Sequence, residues 1–207
     1  MLNEIVTLSP DGRLAFDYHT PRQKGSLSTG IRKEFGFPVL IQRHRKIPGS
    51  DRDLTMFFAY SKDKAPSEIY HQVKSIPPGA DHLLRRTAIY AAAYFQSHAL
   101  SFDAVVPVPS SKPFAKSLAS EIAKRLQVPL LDGALVKMEK VGNIGVHQRM
   151  DHAVDNFVAD DVPGLNGHVL IVDDFSTSGS SIVGAAANLL MVPDVTDVTG
   201  FAMSIAN

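Results

Sequence analysis

At 207 residues the chain is long enough to bury one well-packed α/β domain with a smaller appended unit, and too short for two full enzymes. Its 21 Lys and Arg balance its 21 Asp and Glu, so there is no global pull toward nucleic acid or an anionic membrane, and such a partner would need a local patch. Cysteine is absent, which removes disulfides, thiol catalysis and Cys-based zinc sites together and fits a cytoplasmic protein. Met1 to Asp17 lacks a basic start followed by an apolar core, and no run approaches the ~18 apolar residues of a membrane span, so neither span nor signal peptide is expected.

The first sixty or so residues read as strands and turns. Strands are predicted at Glu4 to Leu8, Leu14 to Tyr18, Val39 to Gln42 and Leu54 to Tyr60, with a Pro10-Asp11-Gly12 turn after the first. The polar connections Thr20 to Gly30 and Ile47 to Asp53 suit surface loops. The cluster Arg43, His44, Arg45 and Lys46, with Arg32 and Lys33 upstream, could receive an acidic or phosphorylated acceptor, or could form a solvated strand edge. Pro77-Pro78-Gly79 breaks the chain, and the domain boundary is placed there: an N-terminal antiparallel β unit over 1–78 and a main domain over 79–207.

Beyond the break the pattern alternates. Leu83, Leu84, Thr87, Tyr90, Ala91, Tyr94 and Phe95 fall at helical spacing. A strand follows at Ala104 to Val108, then a helix from Lys112 to Leu126 whose Phe114, Leu118, Ile122 and Leu126 form one stripe. Short strands are expected at Val128 to Leu131 and His168 to Val172, then a helix through Ile182, Val183, Ala186 and Leu190, and a last strand from Val195 to Ser204. Such alternation implies an α/β fold with a mainly parallel, doubly wound sheet.

Three stretches carry chemistry. Val105-Val106-Pro107-Val108-Pro109-Ser110-Ser111-Lys112 is an apolar strand ending in a small-residue loop with a cation; it reads either as an anion site or as an ordinary helix start. Lys137 to Arg149 mixes cations with glycines and lacks a stable period, so it is either a basic flap or a solvated surface loop. The richest stretch is His168 to Ser181. A β-branched run leads to Asp173 and Asp174, placed where the strand should end at the ligand edge of an open sheet. Ser176, Thr177, Ser178, Gly179, Ser180 and Ser181 follow at the mouth of a helix, where unpaired amides and the helix dipole suit a phosphate. The plainer alternative is an Asp-rich turn with a serine cap. Two adjacent carboxylates count against it, because they repel unless sugar hydroxyls or a metal relieve them.

This last stretch, Val-Leu-Ile-Val-Asp-Asp-Phe-Ser-Thr-Ser-Gly-Ser-Ser, closely resembles the phosphoribosyl-diphosphate motif of type I phosphoribosyltransferases, with Ser178 and Ser181 in place of two family threonines. The Val-Pro-Val-Pro wording of the earlier strand is similar to ComF-type members. The resemblance implies that Asp173 and Asp174 accept hydrogen bonds from the ribose 2′- and 3′-hydroxyls and that Ser176 to Ser181 cradle the 5′-phosphate. It implies that Ser110, Ser111 and Lys112 meet the diphosphate, and that Lys137, Lys140 and Arg149 belong to a loop closing over it, with Lys112 and these flap cations stabilising the leaving pyrophosphate. Mg²⁺ would be held through the ligand's oxygens near Asp173 and Asp174, not directly by the protein. A strained or cis peptide is expected in the Ser110 loop.

The implied activity is transfer of phosphoribose from 5-phosphoribosyl 1-diphosphate to a nitrogen acceptor with release of pyrophosphate. Thr177 stands where many 6-oxopurine enzymes carry an Asp base, which argues against hypoxanthine or guanine, and the N-terminal unit would supply the variable hood over the acceptor. Two alternatives stay open: a phosphoribosyl-diphosphate-sensing regulator without turnover, and a ComF-like accessory protein of nucleic-acid processing. A homodimer is compatible with either.

Overall fold

The computed structural model describes residues 4–8, 14–18, 40–61, 80–138, 153–160, 162–176 and 178–205. The chain forms two compact units, Met1–Val39 and Leu40–Asn207. In the first, β1 (Glu4–Leu8) and β2 (Leu14–Tyr18) pair antiparallel, with Glu4 opposite Tyr18 and Leu8 opposite Leu14. The predicted strand limits and the antiparallel pairing are both found.

The second unit is built on a five-stranded sheet in the order β3-β4-β9-β8-β5. Its strands are β3 (Ile41–Lys46), β4 (Asp53–Ser61), β5 (Ala104–Pro107), β8 (Gly167–Ser176) and β9 (Val195–Ile205). Every neighbouring pair is parallel except β3–β4. The expected α/β class with a mainly parallel sheet is therefore what the chain adopts.

The boundary at Pro78 is corrected. β3 and β4 lie in the main sheet, and the compact unit containing them begins at Leu40. The reason is legible in β4: Leu54, Met56, Phe57, Phe58 and Ala59 are all buried, as a strand covered on both faces requires. Alternation divides them. Leu54, Met56 and Phe58 join the core cluster of Val106, Val169, Ile171, Ile182 and Val183. Phe57 faces the other way and packs on Phe95, which also meets Phe102 and Phe201 edge-on.

Helices cover both faces. Helices α1 (Ala80–Ser97) and α2 (Phe114–Leu126) pack on each other, and α2 also packs on β5 and β8. Phe114, Leu118 and Ile122 of α2 are fully buried, whereas Leu126 is half-buried. Helix α3 (Ser180–Leu189) packs on β8 and β9. The same helix contacts a small antiparallel ribbon of β6 (Leu135–Lys137) and β7 (Phe157–Ala159), through β7 and the 3-10 turn Val154–Asn156 before it.

One local expectation changes, and the sheet decides the place of two strands. The predicted strand at Val128 to Leu131 is reduced to one parallel bridge, Leu130 to Val105. β9, last in the chain, is the middle strand of the sheet. The basic run of β3 is an edge: Gln42 to Lys46 are exposed, with Lys46 paired to Asp53 at 3.2 Å. This is the solvated strand edge, and charges there discourage edge-to-edge pairing. Arg32 and Lys33 lie outside the described residues. No described helix is long and apolar enough to cross a membrane.

Candidate functional site

β8 does not stop at the acids. It runs through Ser176, with Asp173 opposite Ala202, Phe175 opposite Ser204 and Ser176 opposite Ile205 on β9. The acids were expected at the strand end; they sit inside it, because β9 is long enough to pair with four further residues. Consecutive strand residues point to opposite faces. Each carboxylate also folds back along the chain: Asp174 N–H donates to Asp173 Oδ1 at 2.8 Å and Phe175 N–H to Asp174 Oδ1 at 2.6 Å.

The two acids are consequently unequal. Asp173 is 5% exposed and Asp174 half-buried. Burial pushes the Asp173 carboxyl well above the usual carboxylate range, and the Asp174 charge pushes it further. Lys137, at the end of β6, opposes that rise. Asp174 is therefore the carboxylate open to a ligand, and Asp173 is a buried neighbour that sets its surroundings.

The loop after β8 turns at Gly179, whose φ of +84° lies in the left-handed region that glycine adopts without strain. A side chain there would also press on Met56 Cε at 3.1 Å. Gly179 caps α3 with no side-chain hydrogen bond to the helix, and no acid stands in the first turn. Ser178 Oγ donates to Ser180 Oγ at 3.0 Å and accepts from Ser180 N–H at 3.4 Å. Ser178 and Ser180 are half-buried and Ser181 exposed, so their hydroxyls stand beside the first amides of the helix. Ser176 differs. At 6% exposure it belongs to the strand wall and not to the cradle. Thr177 lies outside the described residues.

The neighbouring strand carries the second loop. Pro107 is opposite Val172, and Val108 N–H donates to Val172 C=O at 2.8 Å, so the residues after β5 emerge beside the acids at the same carboxyl edge. Ser110, Ser111 and Lys112 are exposed and line a cavity of about 450 Å³ together with Lys116, Asp132 and Gly133. Lys112 N–H donates to Ser110 Oγ at 3.2 Å. The expected strained or cis peptide is not there: among the described residues no peptide is cis, and no residue of this loop has a positive φ. Pro107, Pro109 and Pro113 hold φ negative and remove donors, so the loop bends within ordinary backbone space. Helix α2 begins at Phe114, two residues later than predicted.

Of the flap cations, Lys137 is exposed at the end of β6; Lys140 and Arg149 lie outside the described residues. The ribbon brings Lys137 within electrostatic range of Asp173, a pairing separated by 36 positions that no local motif announces. Lys116 and Asp132 were also missed, since neither belongs to a recognisable pattern. A second cavity, of about 500 Å³, lies between α1 and α2 and is lined by none of the residues singled out above.

The donor set suits a magnesium ion carried in with a phosphorylated ligand. Mg²⁺ prefers oxygen, keeps several waters and commonly takes one or two carboxylates plus phosphate oxygens. Of the two acids Asp174 is the more exposed and could contact such an ion indirectly, while the ligand's own oxygens would hold it.

No family model and no curated protein matches the chain. Solved structures do. The protein TT1426 of Thermus thermophilus is 15% identical, with a TM-score of 0.39 over 59% of this chain and 83% of its own. A purine phosphoribosyltransferase from Pyrococcus horikoshii is 13% identical, with a TM-score of 0.38 over 58% and 81%. An adenine phosphoribosyl transferase from Trypanosoma brucei, solved with AMP, pyrophosphate and ribose-5-phosphate, is 12% identical, with a TM-score of 0.44 over 88% of this chain and 82% of that one.

Proposed function

We propose that the chain is a phosphoribosyltransferase that takes 5-phosphoribosyl 1-diphosphate with Mg²⁺, transfers phosphoribose to a nitrogen acceptor and releases pyrophosphate. The observation that supports this is that two loops suited to anions follow neighbouring parallel strands. The Gly179-capped helix follows β8, which carries Asp174, and the Ser110–Lys112 loop follows the adjacent β5. A sugar with a phosphate at one end and a diphosphate at the other has matching partners in that order.

In this reading, Asp174 accepts hydrogen bonds from the ribose hydroxyls and fixes the ring. Hydroxyls of Ser178, Ser180 and Ser181 and the first amides of α3 hold the 5′-phosphate. Ser110, Ser111 and Lys112 hold the diphosphate, as does Lys137 if the ribbon bends toward it. Mg²⁺, when bound, spreads the negative charge of the diphosphate oxygens. The acceptor nitrogen gives its lone pair to C1, the C1–O bond breaks with its electrons going to pyrophosphate, and Lys112 meets that growing charge. The acceptor is a nitrogen heterocycle outside the 6-oxopurines, in keeping with Thr177.

Calorimetry with 5-phosphoribosyl 1-diphosphate and Mg²⁺, followed by a pyrophosphate-release screen across nucleobases, tests the proposal. Binding that Asp174→Asn weakens by about tenfold or more, with release for at least one base, is expected. Binding without release under every base would make the chain a sensor, and absence of binding would remove the pocket assignment.

A further inference from the structure

The cavity beside β5 contains a charge arrangement that the mechanism above does not use. Lys112 and Lys116 both line it, so two lysines border one cavity. Lys116 stands in the first turn of α2, which has no acid and no side-chain cap. A cation so near the positive end of a helix is locally unfavourable, and departures of this kind tend to mark functional positions. Among the described residues the single carboxylate lining the cavity is Asp132, and it is paired with Lys116. With side chains 60% and 43% exposed, this is a solvated pair of the weakly held sort, open to exchange.

We propose that Asp132 is a built-in counter-ion of the diphosphate site: it holds Lys116 in the ligand-free protein and is displaced when a diphosphate group enters. Lys116 then becomes a second cationic partner beside Lys112. This rests on the assignment of the Ser110–Lys112 loop to the diphosphate. A diphosphate brings several negative charges against the one of Asp132, so it wins the exchange. The displaced carboxylate remains on the cavity wall and repels the anion. Asp132 thus weakens the hold on released pyrophosphate and speeds its departure, at some expense in affinity.

Calorimetry of the full chain with inorganic pyrophosphate in Mg²⁺ buffer tests this. Lys116→Met should weaken binding by about tenfold and Lys116→Arg should restore most of it. Asp132→Asn should tighten binding by about threefold to tenfold, and that gain should shrink in the Lys116→Met background. Lys124→Met, on α2 outside this cavity, should change nothing, and unchanged melting temperatures verify folding. Unchanged or weaker binding by Asp132→Asn overturns the counter-ion role. If Lys112→Met weakens binding while the Lys116 and Asp132 variants are silent, that role alone fails. If the wild type binds neither pyrophosphate nor 5-phosphoribosyl 1-diphosphate, the diphosphate assignment fails and takes the inference with it.

Discussion

Asp173→Asn should stabilise the ligand-free protein at neutral pH while removing part of its pH dependence. Asp173 is buried, and its native pKa is raised first by that burial and then by the charge of Asp174. The native state thus holds the proton more tightly than the unfolded chain, whose value is about 3.9. Stability from this group is complete below the unfolded value and is lost as pH rises toward the native one, at about 1.4 kcal/mol per pH unit within the window. Above the window the loss is constant. Asparagine is neutral throughout, and its Oδ1 can still accept the Asp174 N–H that Asp173 accepts at 2.8 Å. The stability difference, variant minus wild type, should climb at that slope from about pH 4 and then level off. In melting temperature the climb is about 3–6 °C per pH unit for a domain of this size. Urea unfolding of both proteins in steps between about pH 4 and pH 8 measures it, and the remaining carboxylates cancel in the difference. Parallel curves for the two proteins would refute the reasoning. Lys137→Met supplies the sign control: that charge lowers the Asp173 pKa, so its removal should carry the wild-type loss to higher pH.

Gly184 of α3 is packed so closely that a Cβ there would fall on the Ala153 carbonyl oxygen. Gly184→Ala should cost about 1 kcal/mol net, since overpacking against backbone costs about 1–3 kcal/mol and is only partly offset by the ~1 kcal/mol of helix propensity gained; thermal unfolding reads this, and an unchanged melting temperature would show the turn at Ala153 to be movable. At Gly179, alanine at φ +84° should cost about 1–2 kcal/mol, and the displaced loop should weaken the hold on 5-phosphoribosyl 1-diphosphate. Calorimetry should show the affinity falling together with the stability; affinity unaffected in a folded variant would detach this loop from the phosphate. Asn188 donates to the C=O of Val154 and of Gly184, both at 2.9 Å, so Asn188→Ala should cost about 1–3 kcal/mol by removing both hydrogen bonds, measurable in the same unfolding assay.

Much of the site was legible because its signals are local. The β-branched run before Asp173, the glycine at 179 and the alanine-rich helix after it are neighbours in sequence, and each dictates the backbone of its own few residues. The proline-flanked run at 105–109 similarly announced a buried strand followed by a loop. Lys116 and Asp132 were not legible, since the turn that brings Asp132 back to α2 depends on the bridge between Leu130 and Val105. Lys137 was singled out only as a flap cation. Its influence on Asp173 arises from the pairing of β6 with β7 and the packing of β7 on α3.

Period and composition alone determined the α/β class, the two loops and the carboxylate pair, because strand burial, helix stripes and turn residues are set by near neighbours. Which strands share a sheet was a tertiary decision. Leu54, Met56 and Phe58 needed a covered face, and the parallel seam with β9 provided it, which drew β4 and with it β3 out of the predicted N-terminal unit. The same decision carried β8 past its acids. With β9 beside it as far as Ile205, the ladder continues to Ser176, burying Asp173 and leaving Asp174 half-buried.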